Sequence, residues 1–325
     1  MKSWWIRTAG DGMAVELREV PPPRPGPGQV AIRIRAASLN RGEFIAGHGL
    51  HAASAPARPA GFEAAGEVTA VGEGVVSHRA GDRVMGRCDG AFAEHGCMQA
   101  VEAFPVPAGM AWEQAACATL VYGTVHDCLI AQGRLAAGEW LLVTGVSSGV
   151  GVAALQVGKA LGARVIGTSG SAEKLERLRG MGLDVALQTR TSDFVPAVLQ
   201  ATGDAGADVA VNTVGGSMFA ACVEALGFEG RLAVVGYMDG IVRAGIDLAA
   251  VHKKRLQLFG VSNKMRKLEH REQAARAFER DLLPMLADGR LVPVVDQVFP
   301  FAELPAAQAC MERSQALGKI VVRMD

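Results

Sequence analysis

The sequence holds only two tyrosines and four tryptophans, and it has no excess of charge of either sign: 33 lysines and arginines face 33 aspartates and glutamates. A zero net charge gives no electrostatic reason to expect a nucleic-acid or membrane partner. The six cysteines, Cys88, Cys97, Cys117, Cys128, Cys222 and Cys310, are scattered and form no CxxC pair. That argues against a disulfide framework and against a structural zinc knot. Small core thiols in a reduced, cytoplasmic setting fit them better. Apolar runs are short, and Trp140 to Val143 is far below the length that spans a bilayer. Residues Met1 to Ala9 lack the basic start and long apolar stretch of a signal peptide. No GxxxxGK[ST] occurs, which excludes a P-loop.

What is present is apolar residue and glycine. Half of the 325 residues are hydrophobic, a fifth are charged and 40 are glycine. Such a chain can bury a large core, and its length suggests two domains. Three textures follow one another. Residues 1 to about 115 read as short strands and turns. Gln29 to Ala36 alternates apolar and polar residues as a half-buried strand does. The prolines at 21, 22, 23, 25 and 27 forbid regular structure just before it. Glu67 to Val71 and Arg83 to Met85 look like further strands. From about 116 to 261, short apolar strands alternate with helices. The strands are expected at 139–144, 164–168, 185–187, 209–212, 231–235 and 256–260. The helices are expected at 151–161, 172–181, 194–201 and 219–226. That alternation implies a parallel sheet covered on both faces. The remainder, 262–325, shows one long polar helix over 268–287, then strands near 294–299 and 319–323.

Leu141 to Gly151 (LLVTGVSSGVG) runs from an apolar strand through a glycine turn into a helix. Its glycines at 145, 149 and 151 do not follow plain GxGxxG spacing. The strand–turn–helix context nevertheless marks a dinucleotide cradle, in which helix amides face a pyrophosphate. The bland alternative is a turn that only packs a helix on a sheet. A site selective for NAD usually carries Asp or Glu at the end of the second strand, to hold the ribose 2′-hydroxyl. Here Thr168, Ser169, Gly170 and Ser171 stand there, and the first acid is Glu173. The hydroxyls with Lys174 suit a 2′-phosphate. Lys174 taken alone also reads as a solvated helix residue.

These segments resemble the medium-chain dehydrogenase/reductase family in its zinc-free quinone oxidoreductase branch. The resemblance runs nearly end to end. It includes ASLN (37–40), GFEAAGEVTAVGEGV (61–75), AGDRV (80–84), GAFAEH (90–95) and EQAACATL (113–120). It continues through VTGVSSGVG (143–151), VIGTSGSAEKL (165–175), DVAVNTVGG (208–216), GRLAVVG (230–236) and GKIVVR (318–323). The fold it implies is α/β. A GroES-like β-rich catalytic domain (1–115) precedes an NADP-binding, doubly wound parallel-sheet domain of the Rossmann type (116–261). The chain then returns to the first domain (262–325). The resemblance puts Asn40 beside nicotinamide or substrate, with Arg41 to Ile45 near it. Thr124 and Asp127 would sit at the entry to the cofactor domain. Gly149, Val150, Gly151, Ser169, Ser171 and Lys174 would hold phosphates and ribose, and Gly236, Tyr237, Phe259, Gly260 and Val261 would wall the nicotinamide. A family tyrosine after the third strand is replaced by Leu187-Gln188-Thr189. Arg190 follows, either compensating electrostatically or lying on the surface.

Zinc enzymes of the family carry GHE where this chain has Gly61-Phe62-Glu63, and the cysteine ligand near Ser38 to Asn40 is absent. Catalytic zinc needs about three protein ligands. Cys88, Cys97, His48 and His51 match no family spacing. The expected activity is therefore hydride transfer from NADPH to a quinone or enone, whose conjugation spreads the negative charge without a Lewis acid. His126 is a possible proton donor or a structural histidine. Alternatives are an enoyl-thioester reductase and a non-catalytic NADPH-binding sensor, structural protein or RNA binder. The resemblance also implies a homodimer paired through Leu256 to Val261, with a small molecule as the other partner.

Overall fold

The computed structural model describes residues 1–9, 12–44 and 56–324. The chain divides into two compact units, Met1–Gly123 with Lys264–Ala287 and Val292–Asp325, and Thr124–Asn263 with Asp288–Leu291.

The first unit is built on strands β1 (Lys2–Ala9), β2 (Gly12–Glu19), β3 (Gln29–Ser38), β4 (Arg58–Pro59), β5 (Glu63–Val71), β6 (Arg83–Arg87), β7 (His95–Gln99) and β8 (Ala103–Pro105). Helices α1 (Trp112–Ala115) and α2 (Thr119–His126) follow. In β3, Val30, Ile32 and Ile34 point into a core with Phe92 and Met98, while Arg33 and Arg35 face outward. The alternation read in the sequence is thus the pleat of a strand with one buried face.

The second unit alternates β9 (Trp140–Thr144), α3 (Gly149–Ala160), β10 (Arg164–Ser169), α4 (Ala172–Arg179), β11 (Val185–Gln188), α5 (Val195–Thr202), β12 (Ala207–Asn212), α6 (Gly216–Ala225), β13 (Leu226–Val234), α7 (Leu248–Lys254) and β14 (Gln257–Gly260). All neighbours in its sheet are parallel, in the order β11-β10-β9-β12-β13-β14. Leu141 to Thr144 in the middle of that sheet are fully buried, because helices cover both faces. The order reverses between β9 and β12. In open α/β sheets the crevice at such a reversal, outside the carboxyl ends of the strands, is where ligands bind.

The chain then gives the first unit α8 (Leu268–Asp281), α9 (Leu283–Ala287), β15 (Val295–Pro300), α10 (Leu304–Glu312) and β16 (Lys319–Arg323). The first unit's larger sheet runs β15-β16-β3-β5-β6-β8, with β7 also on β3, and β2-β1-β4 form a small second sheet. The single helix expected over 268–287 is two, broken at Leu282. The cause is Pro284, which has no N–H for the helical ladder and crowds the preceding turn. The basic run 252–255 ends α7, and the Lys254 ammonium donates to the carbonyls of Glu224 and Leu226, both at 2.7 Å.

Candidate functional site

The glycine turn is closed by the residues that follow β9, β10 and β12. Gly145 sits at φ +65°, in the left-handed region, with its amide on the Thr168 hydroxyl at 3.2 Å. A Cβ on Gly151 would lie 2.5 Å from the Gly145 carbonyl oxygen and 2.7 Å from Val146. Only glycine lets α3 start this close to the turn. Ser148 caps the helix by accepting from the Gly151 amide at 3.1 Å. Gly149 and Val150 form the half-buried first turn behind it. Thr144, Asn212 and Thr213 lock the reversal point. The Asn212 carboxamide oxygen accepts from the Thr144 hydroxyl at 3.1 Å and from the Val214 and Gly215 amides at 3.0 Å. The Thr213 hydroxyl donates to the Thr144 carbonyl at 2.7 Å.

At the end of β10 the Ser169 hydroxyl lies 3.1 Å from that of Ser147. Ser171 caps α4, its hydroxyl accepting from the Lys174 amide at 3.3 Å. A capping hydroxyl used as an acceptor still has its own proton to donate to an anionic oxygen. A side chain on Gly170 would collide with the Arg190 guanidinium, so Arg190 folds across this turn. The structure therefore brings Ser169, Ser171, Lys174 and Arg190 to one corner of the sheet. No carboxylate ends β10 there, and Glu173 lies exposed in the first turn of α4.

Gly236 and Tyr237 line a cavity of about 260 Å³ at the carboxyl ends of β12 and β13, together with Asn212, Phe219 and Ile241. Gly215 (φ +134°) and Gly216 leave room there for Tyr237, Asp239 and Ile241. Partial burial opposes ionisation of Asp239. Hydrogen bonds from Ser217, Ile241 and Gly216 outweigh it and hold the carboxyl below its usual range. Phe259 and Gly260 end β14, and the amide of Val261, which follows it, donates to the Val234 carbonyl at 2.9 Å. Asp127 begins the turn after α2. It accepts from Gln132 Nε2 at 3.1 Å, and the same nitrogen is 3.4 Å from the Gly260 carbonyl. Thr124 is half-buried, one turn earlier on α2. His126 is buried.

Asn40 belongs to the first unit. It follows β3 and opens a 3-10 turn, Arg41–Phe44. Its Nδ2 donates to Glu43 Oε1 at 2.9 Å, and its Oδ1 accepts from the Lys319 ammonium. Lys319 also donates to the Leu39 carbonyl at 2.9 Å and pairs with Glu63 at 3.6 Å. Glu63 is fully buried and fully used. It accepts from Ser38 at 2.7 Å, from the Thr119 hydroxyl at 3.1 Å and from the Leu120 amide at 2.6 Å. Glu43 differs. Burial pushes its carboxyl up to about 8, against the pull of Asn40 and Lys319, and its Oε2 has no hydrogen-bond partner among the described residues. Glu63 and Lys319 were not picked out from the sequence as site residues, and Glu43 entered only within the stretch Arg41 to Ile45. The available signal was a charge inside an apolar stretch, as in GFEAAG and GKIVV. Ile45, His48 and His51 lie outside the described residues.

The family implies a dinucleotide and, in its alcohol dehydrogenases, zinc. The close-packed Gly145–Gly151 cradle fits the first. The residues around Phe62 do not fit the second. Its ring is flanked by the guanidinium groups of Arg58 at 5.6 Å and Arg87 at 5.7 Å, a poor setting for a dication. Burial pushes the thiols of Cys88 and Cys117 up, toward the neutral form. Among the described residues, no group of three His, Cys, Asp or Glu is placed to hold a metal ion. No helix among them is long and apolar enough to cross a membrane.

A GroES-like unit joined to a parallel-sheet unit with a glycine cradle defines a class of nucleotide-dependent oxidoreductase folds. Residues 26–131 match the family model of the alcohol dehydrogenase GroES-like domain, and residues 149–279 that of zinc-binding dehydrogenase. A mycocerosic acid synthase-like polyketide synthase of Mycolicibacterium smegmatis is 32% identical over 324 residues, 98% of this chain. The chain spans only 15% of that protein's length. The human synaptic vesicle membrane protein VAT-1 homolog is 30% identical over 329 residues, covering 96% of this chain and 83% of that protein. The quinone oxidoreductase of Thermus thermophilus, also solved with NADPH, superposes with a TM-score of 0.81 at 29% identity, over 99% of this chain and all of that one. The chain belongs to the medium-chain dehydrogenase/reductase family.

Proposed function

We propose that the protein is an NADPH-dependent reductase of quinones or enones that works without zinc. The corner formed by Ser169, Ser171, Lys174 and Arg190 carries this reading. It offers hydroxyls and two cations where a carboxylate would repel a 2′-phosphate. The α3 amides, Gly149 to Gly151, would hold the pyrophosphate, with Thr124, Asp127, Gly236, Tyr237 and Phe259 to Val261 toward the nicotinamide. Bound NADPH supplies a hydride. The protein's part is to align the rings, keep water out and hold Asn40 against the acceptor's polar atom. The NADPH complex of the Thermus thermophilus quinone oxidoreductase supports the same choice of cofactor. Among the described residues β14 pairs only with β13, and its Leu258 is 36% exposed. We take this edge as the contact of a homodimer.

A second reading, reduction of an enoyl thioester, is favoured by the match to polyketide synthases over nearly the whole of this chain. Loss of reduced-cofactor absorbance with a panel of quinones, enones and enoyl thioesters separates the two. Turnover confined to thioesters would reject the quinone reading, and the absence of turnover with every acceptor would reject both.

A further inference from the structure

The Asn40 carboxamide can be oriented from chemistry alone. Lys319 has only protons to offer, so the oxygen of Asn40 must face it and the NH2 must face Glu43. The reversed amide would set two donors against each other at Lys319. In the observed orientation one N–H and one lone pair of Asn40 remain for a ligand. We propose that Lys319 and Glu43 are positioning residues that lock the Asn40 carboxamide in this single orientation, with Glu43 working in its uncharged, proton-carrying form.

This inference rests on reading Asn40 as the residue beside the reacting groups. Among the described residues, the ionisable groups facing Glu43 are Lys319 on β16, Glu63 on β5 and Arg58 on β4. Lys319 and Glu63 already neutralise each other as a buried pair, 6% and 0% exposed. A proton on Glu43 therefore leaves the buried cluster of Glu43, Glu63 and Lys319 without net charge, and its loss adds a negative one that only the partly buried Arg58, outside the cluster, offsets. A hydride supplied by bound NADPH would carry its hydrogen and electron pair together, exchanging a C–H bond of the cofactor for a new bond to hydrogen on the acceptor and leaving NADP+. The acceptor becomes an anion until it takes a proton from solvent. A new carboxylate one hydrogen bond from Asn40 opposes that build-up of charge. Turnover should then fall as Glu43 ionises, near pH 8.

The test uses Glu43→Leu, Glu43→Gln and Lys319→Met in the full chain, with two readouts. In steady-state turnover, Glu43→Leu should lose about tenfold in kcat with little change in KM, as expected when a transition-state contact is misaligned. Glu43→Gln keeps an acceptor for Asn40 and should recover part of that loss. It should also remove the alkaline fall seen in the parent. Lys319→Met leaves Glu63 buried without its cation and should be the least stable of the three, so it is read only if its circular dichroism matches the parent. The second readout needs no turnover. The side-chain amide signals of Asn40, in selectively labelled protein and assigned with Asn40→Asp, should shift as pH passes about 8 in the parent and not in Glu43→Gln. A parental Asn40 signal that does not titrate overturns the proposal, as does full kcat in a folded Glu43→Leu. If Asn40 titrates as stated and no acceptor is turned over, the proposed function fails while the clamp stands.

Discussion

Replacing Glu43 by glutamine should change how the stability of the first unit depends on pH. The folded chain keeps the Glu43 proton up to about pH 8, whereas an exposed glutamate in the unfolded chain releases it near 4.5. Between these values the folded state binds the extra proton. Stability therefore falls as pH rises through that window and levels off above about 8. At about 1.4 kcal/mol per pH unit, the rise from 4.5 to about 8 corresponds to about 5 kcal/mol. Glutamine has no proton to release, so the variant should gain on the parent by about that amount between about pH 5 and about pH 8.5. Titrations elsewhere are common to both proteins and cancel. Urea unfolding followed by tryptophan fluorescence measures the difference, provided the slope with denaturant is the same in both. Trp140 belongs to the second unit, while Trp4, Trp5 and Trp112 belong to the first. A Trp140→Phe background therefore confines the signal to the unit that holds Glu43. A gain below about 1 kcal/mol across the window, or one of opposite sign, would refute the claim that Glu43 is buried with its proton.

Lys174→Ala should weaken NADPH binding by about 1.5–3 kcal/mol, the usual range for a hydrogen bond to a charged group, and leave NADH nearly unaffected. Equal loss of both cofactors in calorimetry would remove Lys174 from the 2′-phosphate. Exhaustive chelation should leave turnover intact, and one tightly bound zinc per purified chain would sink the metal-free reading. Leu258→Pro should shift a dimeric parent toward monomer or aggregate in light scattering, because proline removes a backbone donor from the exposed edge. A monomeric parent would reject the β14 contact outright.

The parallel sheet was legible in the sequence because each strand is a short apolar run between a glycine or polar turn and an amphipathic helix. Val209–Asn212 and Arg164–Thr168 differ from the observed strands by at most two residues at either end. The corner at Ser169 was legible for a similar reason, since a missing acid at a known strand end is a local fact. The Asn40 cluster was not. Glu43 is three residues from Asn40, Glu63 is on another strand and Lys319 is 279 residues away. No periodicity links them, and a charge inside an apolar stretch, as at Glu63 and Lys319, does not say what it pairs with. Only the pairing of β16 with β3, Val321 opposite Ser38, sets the ammonium beside the carboxamide. The break at Leu282 was missed although the polar pattern stops at Asp281 and the apolar run Leu282 to Ala287, with Pro284 inside it, follows.

The placement of Lys319 carries a consequence for how the first unit becomes competent. The residues that hold Asn40 come from β3, the following turn and the last strand of the chain, and no segment before residue 319 supplies the ammonium. Until β16 docks on β3, Glu63 has its hydroxyl and amide donors but no cation, and the Asn40 amide has nothing to choose its orientation. Closing so long a loop is slow and is rewarded only once the strands pair. The cluster should therefore be among the last features to form. Tolerance of the buried charges then follows from geometry. Lys319 finds three acceptors, in Leu39, Asn40 and Glu63. Glu63 finds three donors besides the ammonium, and the one carboxyl left with a bare oxygen, Glu43, is the one that keeps its proton. A buried pair like Lys319 and Glu63 adds little stability compared with apolar residues of the same volume. Its place beside Asn40 fits the orienting role proposed above better than a stabilising one.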